Sequence, residues 1–189
     1  MVSESIKAIQ DPSWFAIHVK STHEKRVTSL LEYQAYECFL PLYSSRRRWS
    51  DRIKLMEFPL FPGYVFSRFR AFDRLAILKT PSVIGVVSIG STPAPIDDRE
   101  IAAIHRVVAS GFGLSPHSFV QIGQHGSDNS GSLYGLEGII ADVRKRDQLI
   151  VSVTMLQRSV AVEIDSAWVT PILTPKTNPS SKKAFGSAA

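Results

Sequence analysis

The sequence predicts an α+β fold in two parts: a mixed β-sheet flanked by helices over residues 13–110, then a small β-barrel over residues 119–173. Three observations predict it. In the first part, aromatic and β-branched segments that read as strands are interleaved with segments of helical period. A stretch at 111–118 that carries glycine, serine and proline then reads as a linker. Beyond it come closely spaced short strands with no helical period, the pattern of a small barrel.

Residues 14–19 (Trp-Phe-Ala-Ile-His-Val) have the composition of a buried strand. Ser21 and Glu24 have capping-box spacing, and Val27, Leu30, Leu31 and Ala35 then fall on one face of a helix running to about Tyr36. A second strand is expected at 38–43, where Pro41 marks an edge or an end. Residues 44–57 are polar and basic and read as an extended loop or hairpin. Alternation at 64–69 gives a third strand. A short helix from Asp73, a candidate N-cap, to Lys79 stops at Thr80-Pro81, because a residue before proline avoids the helical region. A fourth strand spans 83–89. The last helix starts at Asp97, with Glu100 three residues on, and Gly111 is its natural C-cap. Ile101, Ile104, Val107 and Val108 make it amphipathic. The order is βαββαβα.

In the second part, residues 138–143, 149–155 and 159–164 read as strands, with a turn at 144–147 and a last short strand at Trp168-Val169. Residues 1–12 are expected to be flexible. The tail at 174–189, rich in serine, proline and lysine, has little to bury and is expected to be disordered.

Composition excludes several classes. The 189 residues, 44% hydrophobic and 21% charged, describe a soluble globular chain. No apolar run approaches the roughly 20 residues a bilayer-spanning helix requires, so no membrane is expected. The first twelve residues carry Glu4, Lys7 and Asp11 and do not read as a signal peptide. One cysteine, Cys38, cannot make an internal disulfide and fits a reducing cytoplasm. The net charge of +5 is compatible with a nucleic-acid partner without requiring one. His18, His23, His105, His117 and His125 show no metal-ligand spacing, and there is no phosphate-cradling glycine loop and no Gly-x-Ser-x-Gly elbow. No catalysis, metal or cofactor is expected.

The order Trp14-Phe15, amphipathic helix, Phe61-Pro62-Gly63-Tyr64-Val65-Phe66 and Pro93-Ala94-Pro95-Ile96 resembles the N-terminal (NGN) domain of the NusG family. Gly135-Leu136-Glu137-Gly138-Ile139-Ile140 looks like a KOW motif opening an SH3-like barrel. The stretch from Leu156 to Asp165 is similar to the specialised bacterial paralogues of that family, which include factors acting on surface-polysaccharide operons. The resemblance runs from Trp14 to Ile172. It implies a monomeric, cytoplasmic elongation or antitermination factor that binds the clamp helices of RNA polymerase, close to DNA or RNA in the polymerase cleft. It also implies a KOW barrel that recruits a ribosomal protein or Rho, and action on specific operons. The alternative is a KOW-type RNA-binding or ribosome-associated protein.

Candidate residues follow from both lines of reasoning. In Leu60-Phe61-Pro62-Gly63-Tyr64, proline fixes φ and glycine permits conformations closed to other residues. A rigid turn results that can hold Phe61 and Tyr64 outward as aromatic anchors for the polymerase. Packing both rings into the core is the plainer use of them. The resemblance places His18 facing the clamp helices, although a lone strand histidine is ordinarily structural; Trp14 and Phe15 are assigned to the core. Arg46, Arg47, Arg48, Arg52 and Lys54 around Trp49 form the sharpest charge cluster and are the nucleic-acid candidates. A solvated loop is the usual meaning of such a run. Near Arg74 the threonine-rich signature by which some relatives reach the opposite polymerase pincer is absent. Leu133, Leu136, Met155, Leu156 and Arg158 match the partner-binding loops of the barrel, where leucine or methionine serves equally to fill it. Residues 124–131 stand where relatives have the first KOW strand. Their glycine, serine, aspartate and asparagine resist strand formation, so an irregular strand or an incomplete barrel is expected.

Overall fold

The computed structural model describes residues 11–48, 53–118, 124–128, 137–143, 146–156, 158–163 and 169–171. Residues 1–10 of the expected flexible start, and the whole of the expected disordered tail, lie outside these residues.

Strand β1 (Ser13–Val19) organises the first part. It pairs antiparallel with β5 (Tyr64–Phe69) on one side, and with β6 (Val83–Val86) and β9 (Pro95–Ile96) on the other. Strand β2 (Glu37–Phe39) adds to the far edge of β5. Because successive side chains on a strand point to opposite faces, the run Trp14, Phe15, Ala16, Ile17 serves two cores at once. Phe15, Ile17 and Val19 join Val65 and Phe69 under helix α1 (Glu24–Tyr33), which contributes Val27 and Leu31, and helix α2 (Arg74–Leu78), which contributes Ile77. Trp14 and Ala16 join Phe39 and Phe66 on the opposite face, covered by Ile101, Ile104 and Val107 of helix α3 (Asp98–Ala109). The α+β reading of this part holds.

Local signals explain some boundaries and miss others. Asp97 caps α3 as its sequence suggests, its carboxylate accepting from the Arg99 amide at 2.8 Å, and Gly111 follows the helix at φ +73°. The expected capping box on α1 does not form. Thr22 turns the chain at φ +68°, His23 takes the N-cap position without a side-chain cap bond, its ring bonded instead to Ser82 Oγ at 2.8 Å, and Glu24 is drawn elsewhere. Asp73 likewise makes no cap bond; its carboxylate accepts from Arg70 Nε at 3.1 Å, after a 3-10 turn over Ala71–Asp73. The strand expected at 38–43 is broken at Leu40-Pro41. Pro41 has no amide to give a ladder, and its carbonyl accepts from the Leu60 amide at 2.9 Å.

Beyond the break, β3 (Leu42–Arg48) and β4 (Ile53–Pro59) make a two-stranded hairpin, with register from Leu42 opposite Pro59 to Arg48 opposite Ile53. The region expected at 83–89 divides into β6 and β7 (Ser88–Ile89), and β7 pairs with β8 (Thr92–Pro93).

The second part is a six-stranded antiparallel sheet. It comprises β10 (Leu114–Ser118), β11 (Gln124–Asp128), β12 (Glu137–Val143), β13 (Arg146–Val153), β14 (Arg158–Glu163) and β15 (Val169–Pro171). Its order is β10-β14-β13-β12-β11-β15, and among the described residues no ladder joins its two ends. The linker expectation is revised, and of the irregular strand or incomplete barrel expected at 124–131 the irregular strand is not found at 124–128. Leu114–Ser118, within the stretch read as linker, is a strand paired with β14. Residues 124–128 form a strand despite Gly126, Ser127 and Asp128, since β11 is laddered to β12 on one side and β15 on the other, and backbone pairing on both edges overrides weak propensity. Residues 129–131 lie outside the described set.

Leu149, Val151, Val153, Val160 and Val162 of this sheet belong to the same buried cluster as α3 and the Trp14 face of the first sheet. The two parts are therefore packed together, with α3 between them. No helix among the described residues is long and apolar enough to cross a membrane.

Candidate partner-binding surface

The Leu60 to Tyr64 turn is built from its backbone outward. The Tyr64 amide donates to the Phe61 carbonyl at 3.1 Å, closing the turn, and Gly63 takes φ +83°, a region that favours glycine. The Gly63 carbonyl accepts from the Val19 amide at 2.9 Å, and the Gly63 amide donates to Glu24 Oε1 at 2.8 Å. Both backbone polar groups of Gly63, on the two peptide planes that flank its Cα, are thus tied to β1 and α1.

The turn sorts its side chains in a way the sequence does not. Phe61 is not outward: it is 1% exposed and meets Phe66 edge-on at 5.4 Å between centroids. Leu60 is equally buried. Pro62 is exposed, and Tyr64 is half-buried with its ring stacked on exposed His18 at 5.3 Å. The surface expected from five residues reduces to His18, Pro62 and Tyr64, with Leu60 and Phe61 as its foundation. Opposite β5 residues explain the pairing: His18 and Tyr64 face each other across the β1–β5 ladder.

The second part reaches this surface. The Arg158 guanidinium lies 5.5 Å from the Tyr64 ring centroid, within cation–π range. Thr154 donates its hydroxyl to Glu100 Oε1 of α3 at 2.7 Å. Leu156, one of the barrel candidates, is buried in the shared cluster, whereas Arg158 is exposed. Leu133, Leu136 and the Met155 side chain lie outside the described residues. Neither the Arg158–Tyr64 contact nor the Glu24–Gly63 bond has a sequence signal, for each joins residues far apart in the chain.

The hairpin carries the basic candidates. Arg46 and Lys54 are exposed, in register with Leu55 and Arg47 respectively. Arg52, Trp49 and the side chains of Arg47 and Arg48 lie outside the described residues. Two aliphatic side chains on β4, Ile53 (69% exposed) and Leu55 (63%), accompany the cations. Arg74 is used structurally, donating to the Ser91 carbonyl at 2.9 Å.

Burial raises the Cys38 thiol above its ordinary range, with a hydrogen bond to Ser67 Oγ at 3.5 Å acting against it. A thiol held protonated is a poor nucleophile. Among the described residues no three His, Cys, Asp or Glu side chains are grouped to hold a metal ion.

Residues 12–105 match a protein family described as "NusG: Transcription termination factor nusG". The NusG transcription termination/antitermination protein of Lactococcus lactis is 31% identical over 170 residues, covering 82% of this chain and 90% of that protein. Its Pseudomonas aeruginosa counterpart is 27% identical over 170 residues, covering 82% of this chain and 96% of that protein. Among solved structures, Thermotoga maritima NusG, described for its domain interaction, aligns with a TM-score of 0.55 at 24% identity, over 87% of this chain and 99% of that one. That likeness extends the similarity of fold across both parts of the chain.

Proposed function

Because this chain belongs to the NusG family of transcription termination/antitermination factors, we propose that it binds RNA polymerase through His18, Pro62 and Tyr64 and sustains elongation on a restricted set of operons. The observation that carries this reading is the stacked His18–Tyr64 pair beside exposed Pro62, on a turn whose backbone is bonded on both sides. Aromatic groups held rigidly at low entropic cost are what a protein interface uses as anchors. The clamp helices are the proposed partner element. Arg46 and Lys54, with Arg47, Arg48 and Arg52 beside them in sequence, supply a cationic arm toward DNA or RNA in the cleft.

The C-terminal sheet is read as the KOW barrel, whose Leu156–Arg158 edge recruits a ribosomal protein or Rho. That edge rests on the first part, and Arg158 lies over Tyr64. Each surface thus covers part of the other, and engagement with polymerase requires them to separate. The similarity of the 156–165 stretch to specialised paralogues supports restricted operon use.

Co-purification with core polymerase tests the reading. The wild-type chain should be retained and Tyr64→Ala lost, at moderate salt. Retention of Tyr64→Ala, together with loss on Arg46→Ala/Lys54→Ala and steep salt dependence, would instead establish the nucleic-acid-binding alternative.

A further inference from the structure

Glu24 is the single charged side chain buried among the described residues, at 4% exposure. Burying a carboxylate is costly unless hydrogen bonds and favourable charge replace water. The spacing from Ser21 suggests a capping role, yet no side-chain cap bond forms at α1. Instead Glu24 stands in the first turn of α1, where the helix dipole favours an anion, and its Oε1 accepts from the Gly63 amide at 2.8 Å. An ionised acceptor strengthens such a bond about twofold over a neutral one. The bond falls on the one residue of the turn with positive φ, whose freedom would otherwise be greatest.

The geometry points to Glu24 as the positioning residue of the polymerase-binding surface: it fixes the Pro62–Gly63 peptide plane while the Val19 amide fixes the Gly63–Tyr64 plane, and together they hold the Gly63 backbone angles that set the direction in which Tyr64 leaves the turn. The His18 ring supports this. Its Cδ2 lies 3.9 Å from where a Cβ on Gly63 would stand, so the His18 ring edge borders the Gly63 backbone. Val19, whose amide holds the following peptide plane through the Gly63 carbonyl, immediately follows His18. Without Glu24, Gly63 gains alternative conformations and Tyr64 must be ordered anew at each binding event. The inference rests on the proposed role of Tyr64.

The test uses the full chain and core RNA polymerase, with Glu24→Ala, Glu24→Gln and Tyr64→Ala, and with Val27→Ala as a core variant that destabilises without touching the turn. Glu24→Ala should bind about tenfold more weakly, equivalent to 1.4 kcal/mol, and more weakly than Val27→Ala. Glu24→Gln retains an acceptor oxygen and should stay within about threefold of wild type. Hydrogen exchange at the Gly63 amide supplies an independent readout, with protection lost in Glu24→Ala and kept in Glu24→Gln. Undiminished affinity of Glu24→Ala while Tyr64→Ala fails to bind would overturn the proposal, as would a loss no greater than that of Val27→Ala. If Tyr64→Ala itself binds normally, the reading of the surface fails. Exchange at Gly63 still decides whether Glu24 holds the turn, and unchanged protection in Glu24→Ala refutes it.

Discussion

Phe61→Ala and Tyr64→Ala separate the foundation of the surface from its face. Phe61 is 1% exposed and packed edge-on against Phe66, so truncation leaves a cavity in the core shared by the first sheet and α3. Loss of a buried phenylalanine costs about 3–5 kcal/mol. In a chain of this size each kcal/mol moves the midpoint about 2–4 °C, which gives a drop of about 6–20 °C. Tyr64 is half-buried at the edge of that core, and loses its stack on His18 and its contact with Arg158, so Tyr64→Ala should cost about 1–2 kcal/mol. Urea titration followed by far-UV circular dichroism measures both values. A cost for Phe61→Ala below about 1 kcal/mol, within the range of surface changes, would show that Phe61 is not the support described here. Doubly substituting Phe61 and Tyr64 is consequently a poor test of binding, because unfolding and loss of contact would coincide.

Gly63→Ala should destabilise by about 1–2 kcal/mol through its left-handed backbone alone, since the added Cβ meets only Val19 O at 3.8 Å and the His18 ring at 3.9 Å. Gly85→Ala, with nothing within 4 Å of the added carbon, should be neutral or stabilising by up to about 1 kcal/mol, and a denaturation curve distinguishes the two. Glu100→Ala removes the acceptor that holds Thr154 and should loosen the second part from α3. With a hydrogen bond contributing about 0.5–1.5 kcal/mol, polymerase affinity by surface plasmon resonance should rise about two- to tenfold if the covered surface must open. Burial against Phe39, stacked at 3.5 Å, lowers His105 below its ordinary 6.5, while the Glu37 charge pulls the other way. The unfolded chain then takes up the proton first, so this contribution to stability is full above about pH 6.5 and is lost as pH falls through the lowered folded value. His105→Phe should flatten that part of the stability profile between pH 7.5 and 5.5, and an unchanged slope would refute it.

Legibility followed the range of the interactions. Strand β5 and helix α3 were readable because alternation, the Asp97 cap and Gly111 are local devices. The Ser21–Glu24 pattern misled for the opposite reason: a tertiary partner, the Gly63 amide, outcompeted the local one. Strand alternation cannot be extended through a turn with positive φ, so the inward direction of Phe61 was hidden although Phe66 beyond it was plain. Weak strand propensity at 124–128 was overruled by ladders on both edges. The Leu60 to Tyr64 turn was visible as a motif; that Arg158 lies over Tyr64 was not, since the two stand 94 positions apart in the sequence.

Site-specific photo-crosslinking from position 64 tests the central claim most directly. The chain carrying p-benzoylphenylalanine in place of Tyr64, added to a stalled elongation complex, should crosslink to the polymerase subunit bearing the clamp helices. The same group in place of Tyr33, 92% exposed on α1, serves as the control and should not. Crosslinking from position 33 but not from 64, or from 64 only to nucleic acid, would contradict the account.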